Sequence, residues 1–313
     1  MQFVTALGYQ EFLMILIAFL IFGIHFKKGF ILIQILLWTA VFTFFFKQYF
    51  ALPRPFHVDS SLKLLDYVNH GHGDIPFFKR GAVTFFGLPP FDVISYYRNL
   101  GEFSYGFPSG HTSVAVSVWG ALAILFRRKW ITYLSIALIF LIPFSRIYLG
   151  VHFIADVLGG YLLGGAILWA FYQLILKPSK LQPFLKKNSY VMDFKMAIFI
   201  FSPLLLIPFL HQSAAVIPAF MFGFNLVFYW LSRESLPINT GNWQSIVGGT
   251  LLFLFIFGGM AEAIKFLAAS SSLEVSKMLN FLRYFVSVSV GIWLTTTLSY
   301  KFKWLEKSEN NMM

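Results

Sequence analysis

Repeatedly along its length the sequence runs through an apolar stretch of the size that crosses a membrane: near residues 9–26, 29–46, 108–126, 130–145, 152–175, 195–210, 213–232, 245–266 and 281–300. A spanning helix needs ~20 mostly apolar residues to cover ~30 Å of hydrocarbon, and it must bond all its backbone polar groups internally. The expected fold is all-α, a polytopic membrane helix bundle of about nine spans. The stretches 109–126 and 130–145 are short and 213–232 carries Pro218 and Asn225, so about eight or ten spans fit the same pattern. Composition agrees: 58% of the residues are hydrophobic, 12% are charged and the mean hydropathy is +0.72, beyond the range of soluble globules. A single anchor on a soluble domain is excluded. Cysteine is absent, which removes disulfides, thiolate nucleophiles and cysteine metal sites from consideration. The first basic residue is Lys27, so no positive n-region of a cleavable signal precedes the first span, and that span itself is expected to direct entry.

Basic residues near span ends are retained on the cytoplasmic side, and here alternate connections are unequal. One set holds Lys27, Lys28, Arg127, Arg128, Lys129, Lys177, Lys180, Lys186, Lys187, Lys195, Arg233, Lys301, Lys303 and Lys307. That set is expected to be cytoplasmic, together with the C-terminus. The N-terminus, the 47–108 segment, the 146–151 turn, the 211–213 turn and the 267–280 loop then face the periplasm, lumen or cell exterior. With Asp193, Glu234, Glu306 and Glu309 the inner set sums to +10 of the total +11, so an excess compatible with nucleic acid is read as orientation, and no nucleic-acid partner is expected. The long outer segment 47–108 is rich in Pro, Gly and aromatics. Leu62, Leu65 and Val68 sit at helical spacing, and Phe77, Phe78, Phe85, Phe86, Leu88 and Phe91 cluster after them, a pattern that suits the membrane surface as headgroup anchors or as a lipid-entry lid.

By parity, the end of the second span, the start of the third and the junction of the fourth and fifth meet at one outer face. They carry K-Q-Y-F-A-L-P-R-P with Lys47 and Arg54, P-S-G-H with Ser109 and His111, and S-R-I-Y-L-G-V-H-F-I-A-D with Arg146, His152 and Asp156. Three fixed cations, two of them planar guanidiniums that match phosphate oxygens, make an anion site. Ser109 and the N–H groups of Gly110 and His111 stand where a helix begins, with its donors and dipole aimed at a ligand, and Pro108 suits that first turn. His152 and Asp156, four apart, share a helix face. The carboxylate can accept one ring N–H and leave the other nitrogen able to attack, while His111 protonates the leaving oxygen. Singly, Arg146 or Lys47 would pass for an interfacial anchor, and the His/Asp pair for a helix cap. Together they make a site.

K-x6-R-P, P-S-G-H and S-R-x5-H-x3-D, in that order, resemble the three motifs of the type 2 phosphatidic acid phosphatase superfamily, which includes lipid phosphate phosphatases, vanadium haloperoxidases and glucose-6-phosphatase. The resemblance covers roughly residues 29 to 170. It implies a phosphohistidine at His152, orientation by Asp156, leaving-group protonation by His111, and a phosphoryl cradle of Lys47, Arg54, Ser109, Gly110 and Arg146. It also implies no metal and no cofactor. The division expected on this basis is a catalytic core at 1–176, with the outer loop at 47–108, and a further membrane region at 177–313 of about four spans without a motif.

An outer-face site suits a substrate with its phosphate among headgroups and its tail in the bilayer: phosphatidate, a sphingoid phosphate or a polyprenyl diphosphate. A phosphotransferase with the same intermediate, a sugar-phosphate phosphatase and a lipid transporter are the alternatives. His57, His70, His72, Asp59, Asp66 and Asp74 in the outer loop fit no standard metal spacing and are expected to be exposed. Glu262 and Lys265 are expected to pair with each other, and the G-x3-G pair within Gly159, Gly160, Gly164 and Gly165 to pack a helix closely and hold His152 in place.

Overall fold

A computed structural model of the 313-residue chain describes residues 1–58, 84, 87–99, 105–187, 189–210, 212–233, 235–270 and 277–307. They are nearly all helical. Five helices are long and apolar enough to cross a membrane: Phe26–Val58, Lys129–Tyr148, Ile154–Leu176, Trp243–Leu267 and Lys277–Lys301. Shorter apolar helices, Glu11–Ile24, Gly110–Phe126, Phe194–Phe209 and Val216–Ser232, fall on the other apolar stretches. Many side chains these helices leave exposed are large and apolar, among them Trp130, Phe140, Leu162, Trp169, Phe255 and Phe266. In water such faces would cost about 25 cal/mol for each Å² of apolar surface, and a bilayer removes that cost.

In chain order the helices are α1 (Gln2–Ala6), α2 (Gln10–Ala18), α3 (Phe26–Phe50), α4 (Pro55–Val58), α5 (Phe91–Asn99), α6 (Gly110–Val114), α7 (Gly120–Phe126), α8 (Lys129–Tyr148) and α9 (Ile154–Phe171). They continue as α10 (Pro178–Lys186), α11 (Phe194–Phe201), α12 (Val216–Ser232), α13 (Trp243–Ser270) and α14 (Lys277–Lys301). A π segment, Ala115–Trp119, joins α6 to α7. Two compact units result: Met1–Leu13 with Trp38–Leu176, and Met14–Leu37 with Lys177–Met313.

In the first unit, α9 lays glycines against α6. A Cβ at Gly160 would meet Thr112 Cβ at 2.6 Å and Ser109 O at 2.7 Å, and Gly164 lies against Ser113 and Val116. A side chain there would force its neighbours to shift, and this is the close approach that the G-x3-G spacing predicts. On another face of α9, Tyr161 repairs a defect in α8. Pro143 has no N–H, which leaves the Ile139 carbonyl one turn earlier without its helical donor. The Tyr161 hydroxyl donates to it at 2.8 Å. Of the outer segment, α5 is described: it buries Val93 and Ile94 and exposes Phe91. Val93 packs with Ala51 and Tyr105. Leu62, Leu65, Val68, Phe77, Phe78, Phe85 and Phe86 lie outside the described residues, as do Asp59, Asp66, His70, His72 and Asp74.

The second unit uses the same device. Pro203 leaves the Phe199 carbonyl without a donor, and the buried Asn225 supplies one at 2.7 Å while accepting from Gln34 at 2.8 Å. Asn239 stands in a short antiparallel pair, β1 (Pro237–Asn239) with β2 (Leu305–Lys307). It donates to the carbonyls of Ile21 and Phe22 and accepts from Phe26 N–H at 3.0 Å, filling the break before α3. Glu262 pairs with Lys265 at 3.7 Å, as its spacing predicts, and also with Arg283 of α14 at 3.3 Å.

Candidate active site

The third motif is shaped by the way α8 ends. Arg146 lies in its last turn, and Gly150 adopts φ 74°, a left-handed conformation that glycine takes without strain. Val151 N–H then bonds back to Arg146 O at 3.2 Å, and Gly150 N–H to Ile147 O at 3.0 Å, the paired bonds of a Schellman cap. Five residues therefore separate Arg146 from His152 because the helix stop consumes them. The chain reverses, and His152 arrives two residues after the glycine, 4% exposed, just before α9 begins.

Asp156 is the third residue of α9 and is 3% exposed. Its Oδ2 accepts from the Phe153 N–H at 2.9 Å, closing the N-terminal cap of α9, and lies 3.1 Å from His152 Nδ1. A carboxylate only accepts, so Nδ1 carries the ring hydrogen and Nε2 keeps its lone pair. The backbone carbonyl of Asp156 accepts from Ser109 N–H at 2.9 Å, which ties the third motif to the second.

In the second motif, Ser109 is the N-cap of α6 and is fully buried. Pro108 therefore precedes the cap and is not part of the first turn, because the helix starts two residues later at Gly110. The Ser109 hydroxyl caps no backbone N–H; it accepts from Thr112 Oγ1 at 3.0 Å. A Cβ at Gly110 would press on the Thr43 methyl at 3.3 Å. His111 Nε2 is buried and has no hydrogen-bond partner among the described residues.

The first motif follows from the end of α3. Ala51 turns the chain with φ 49°, and Gly106 N–H bonds to Leu52 O at 2.8 Å, which lays the segment before P-S-G-H along the segment after α3. The Lys47 ammonium donates to the carbonyls of Tyr105 and Gly106. Arg54 donates its backbone N–H to His57 Nδ1 at 3.2 Å. His57 is 5% exposed, which corrects the expectation of an exposed loop histidine: it is a local brace of Arg54. Among the described residues no group of three or more His, Cys, Asp or Glu could hold a metal.

The seven side chains named by the motifs, with Gly110, fall in one neighbourhood. Burial first, and then the charges of Arg54, Lys47, Arg146 and His111, hold the His152 pKa well below its ordinary 6.5. The ring thus stays neutral beside the Arg54 and Arg146 guanidiniums. Arg146, 1% exposed, donates to Thr5 Oγ1 at 2.7 Å and reaches Tyr9 Oη at 3.4 Å. Neither Thr5 nor Tyr9 carries any signal in the sequence that would have marked it.

Residues 28–180 match the PAP2 superfamily model. The chain is 31% identical over 157 residues to the lipid A 4'-phosphatase of Porphyromonas gingivalis, covering 47% of this chain and 54% of the relative. It is 42% identical over 72 residues to phosphatidylglycerophosphatase B of Bacillus subtilis, covering 20% and 36%. It is 35% identical over 89 residues to the undecaprenyl-diphosphatase of Sulfolobus acidocaldarius, covering 28% and 43%. The chain thus spans about half the length of the first of these relatives and less of the others. No solved structure is a significant match. All three motifs fall inside the matched residues, and the segment 28–180 is a PAP2 superfamily domain.

Proposed function

We propose that the protein is a membrane-integral phosphatase that hydrolyses a lipid phosphate or lipid diphosphate through a phosphohistidine. The observation that carries this reading is the Asp156 carboxylate 3.1 Å from His152 Nδ1, which leaves Nε2 as the attacking atom. Nε2 forms a bond to phosphorus as the bond from phosphorus to the leaving oxygen breaks, and His111 gives that oxygen its proton. Water then attacks phosphorus, His111 takes back a proton, the N–P bond breaks and inorganic phosphate departs. Lys47, Arg54, Arg146, Ser109 and the N–H groups from Gly110 onward hold the phosphoryl oxygens and stabilise the charge that grows on them. The substrates in the relatives' names are lipid phosphates and diphosphates, which supports the substrate class.

The nine apolar helices among the described residues are read as nine crossings, and the excess of basic residues in alternate connections supports a site on the non-cytoplasmic side with the N-terminus outside. Catalysis belongs to the unit of Met1–Leu13 and Trp38–Leu176; the remainder is a further membrane region.

Purified protein in detergent, with a chelator present, is expected to release phosphate from phosphatidate, a sphingoid phosphate or undecaprenyl diphosphate, and His152→Ala to abolish release. Substrate labelled in the phosphate should yield free phosphate. Label retained on a second lipid would make the protein a phosphotransferase, and release by His152→Ala would remove the assigned nucleophile.

A further inference from the structure

The segment Gln2–Tyr9 lies outside the residues that match the family, yet it touches two of the proposed catalytic groups. Its short helix α1 buries one residue, and that residue is polar: Thr5 is 1% exposed while Phe3 is 78% exposed. What holds Thr5 inward is its bond to the Arg146 guanidinium at 2.7 Å. One turn later the Tyr9 ring stands edge to face with the His111 ring, centroids 4.8 Å apart at 88°, and its hydroxyl reaches Arg146 at 3.4 Å. Between them, Gly8 approaches so closely that a Cβ there would meet His111 Cδ2 at 2.9 Å and Ile142 Cγ2 at 3.2 Å. Three successive points of one segment thus rest on the phosphate-binding arginine and on the histidine assigned to the leaving group.

Resting on the proposed phosphatase reading, we infer that Thr5 and Tyr9 are positioning residues of this site: Thr5 fixes the Arg146 guanidinium toward the phosphoryl oxygens, and Tyr9 fixes the His111 ring toward the leaving oxygen. The chemistry of both contacts suits that role. A hydroxyl holds a guanidinium by accepting from it and leaves its charge whole for the substrate, whereas a carboxylate would hold it and cancel the charge. An edge-to-face ring restrains an imidazole without bonding either nitrogen, so His111 Nε2 stays available for proton transfer.

The two roles separate in experiment. Orthovanadate, a phosphate mimic, reads Arg146 without turnover. Thr5→Val should weaken its binding about tenfold, the scale of a bond to a charged group, and raise KM for the phosphate ester with a smaller effect on kcat. Thr5→Ser should restore the affinity, and Thr5→Asp, which keeps an acceptor and adds a negative charge, should weaken binding more than Thr5→Val. His111 matters most when the leaving oxygen is a poor one. Tyr9→Leu should therefore cut kcat for an alkyl phosphate about tenfold more than for p-nitrophenyl phosphate, and Tyr9→Phe should retain the ring's effect. The inference is overturned if Thr5→Val and Thr5→Asp bind vanadate like wild type, or if Tyr9→Leu slows both esters equally. A wild-type protein that binds vanadate but turns over no ester would instead overturn the phosphatase reading, leaving the Thr5 comparison to be decided by binding alone.

Discussion

Asp156→Asn isolates the charge of one carboxylate. The side chain keeps its shape, and an amide oxygen can still accept from both Phe153 N–H and His152 Nδ1–H, now at 2.9 and 3.1 Å. The two bonds matter to different measurements. The bond to Phe153 caps α9 before and during reaction alike, so weakening it from charged to neutral lowers stability by about 1 kcal/mol and leaves the barrier alone. In the proposed mechanism the bond to His152 strengthens as the ring takes phosphorus and becomes cationic, since a carboxylate buried at 3% exposure then faces a positive charge. Hydrogen bonds to charged groups contribute about 1.5–3 kcal/mol, which corresponds to a loss of roughly 10- to 150-fold in kcat. Initial rates on phosphatidate in mixed micelles, competitive inhibition by inorganic sulfate, which fills the anion site without bonding the ring nitrogen, and apparent Tm should be measured on the same preparations. The expected pattern is a large fall in kcat, near-normal sulfate inhibition and a small fall in Tm. Activity within about twofold of wild type, or a loss matched by the loss of sulfate affinity, would refute the role of Asp156 as the group that stabilises the phosphohistidine.

Gly160→Ala forces a methyl to within 2.6 Å of Thr112 and 2.7 Å of Ser109 O. It should destabilise by about 1–3 kcal/mol and reduce activity by shifting His152 relative to Ser109; normal Tm and rate would contradict the close packing of α9 on α6. Tyr161→Phe orphans the Ile139 carbonyl and should lower stability by about 1–3 kcal/mol while sparing KM, checked by thermal unfolding and steady-state kinetics. For pH, the contribution of His152 is isolated by comparing wild type with a variant that lacks the ring. The His152 pKa is depressed in the fold by burial and by Arg54, Lys47, Arg146 and His111, so below the ordinary 6.5 the unfolded chain takes up a proton that the folded site refuses. Its contribution to stability is whole above that pH and is lost as the pH falls toward the depressed value. Apparent Tm should drop between pH 7.5 and 5 more steeply in wild type than in His152→Gln, and equal slopes would refute the assignment.

What the sequence makes readable here is whatever is local or imposed by the bilayer. Apolar length alone locates the helices, because hydrocarbon tolerates no unbonded backbone. Lys47, Arg54, Ser109, His111, Arg146, His152 and Asp156 stand out because each lies at a helix end, where a polar residue interrupts an apolar run. Even the spacing of the third motif is local, being the length of a helix stop at Gly150 followed by one capped turn of α9. Hidden from the sequence is everything that depends on contact between distant segments. Thr5 is 141 residues from the arginine it holds, and Asn225 is 26 from the carbonyl it repairs. His57 reads as an exposed loop residue because its burial is decided by the fold around it, although its partner Arg54 is three residues away. Proline offers a partial remedy. Pro143 and Pro203 each announce an orphaned carbonyl four residues earlier, so a polar residue otherwise unexplained in an apolar helix, such as Tyr161 or Asn225, can be sought as its donor from sequence alone. The same reasoning does not reach Thr5, because its partner is a side chain and no backbone defect advertises the need. Residues that brace a catalytic group from outside its motif are therefore the ones that geometry must supply.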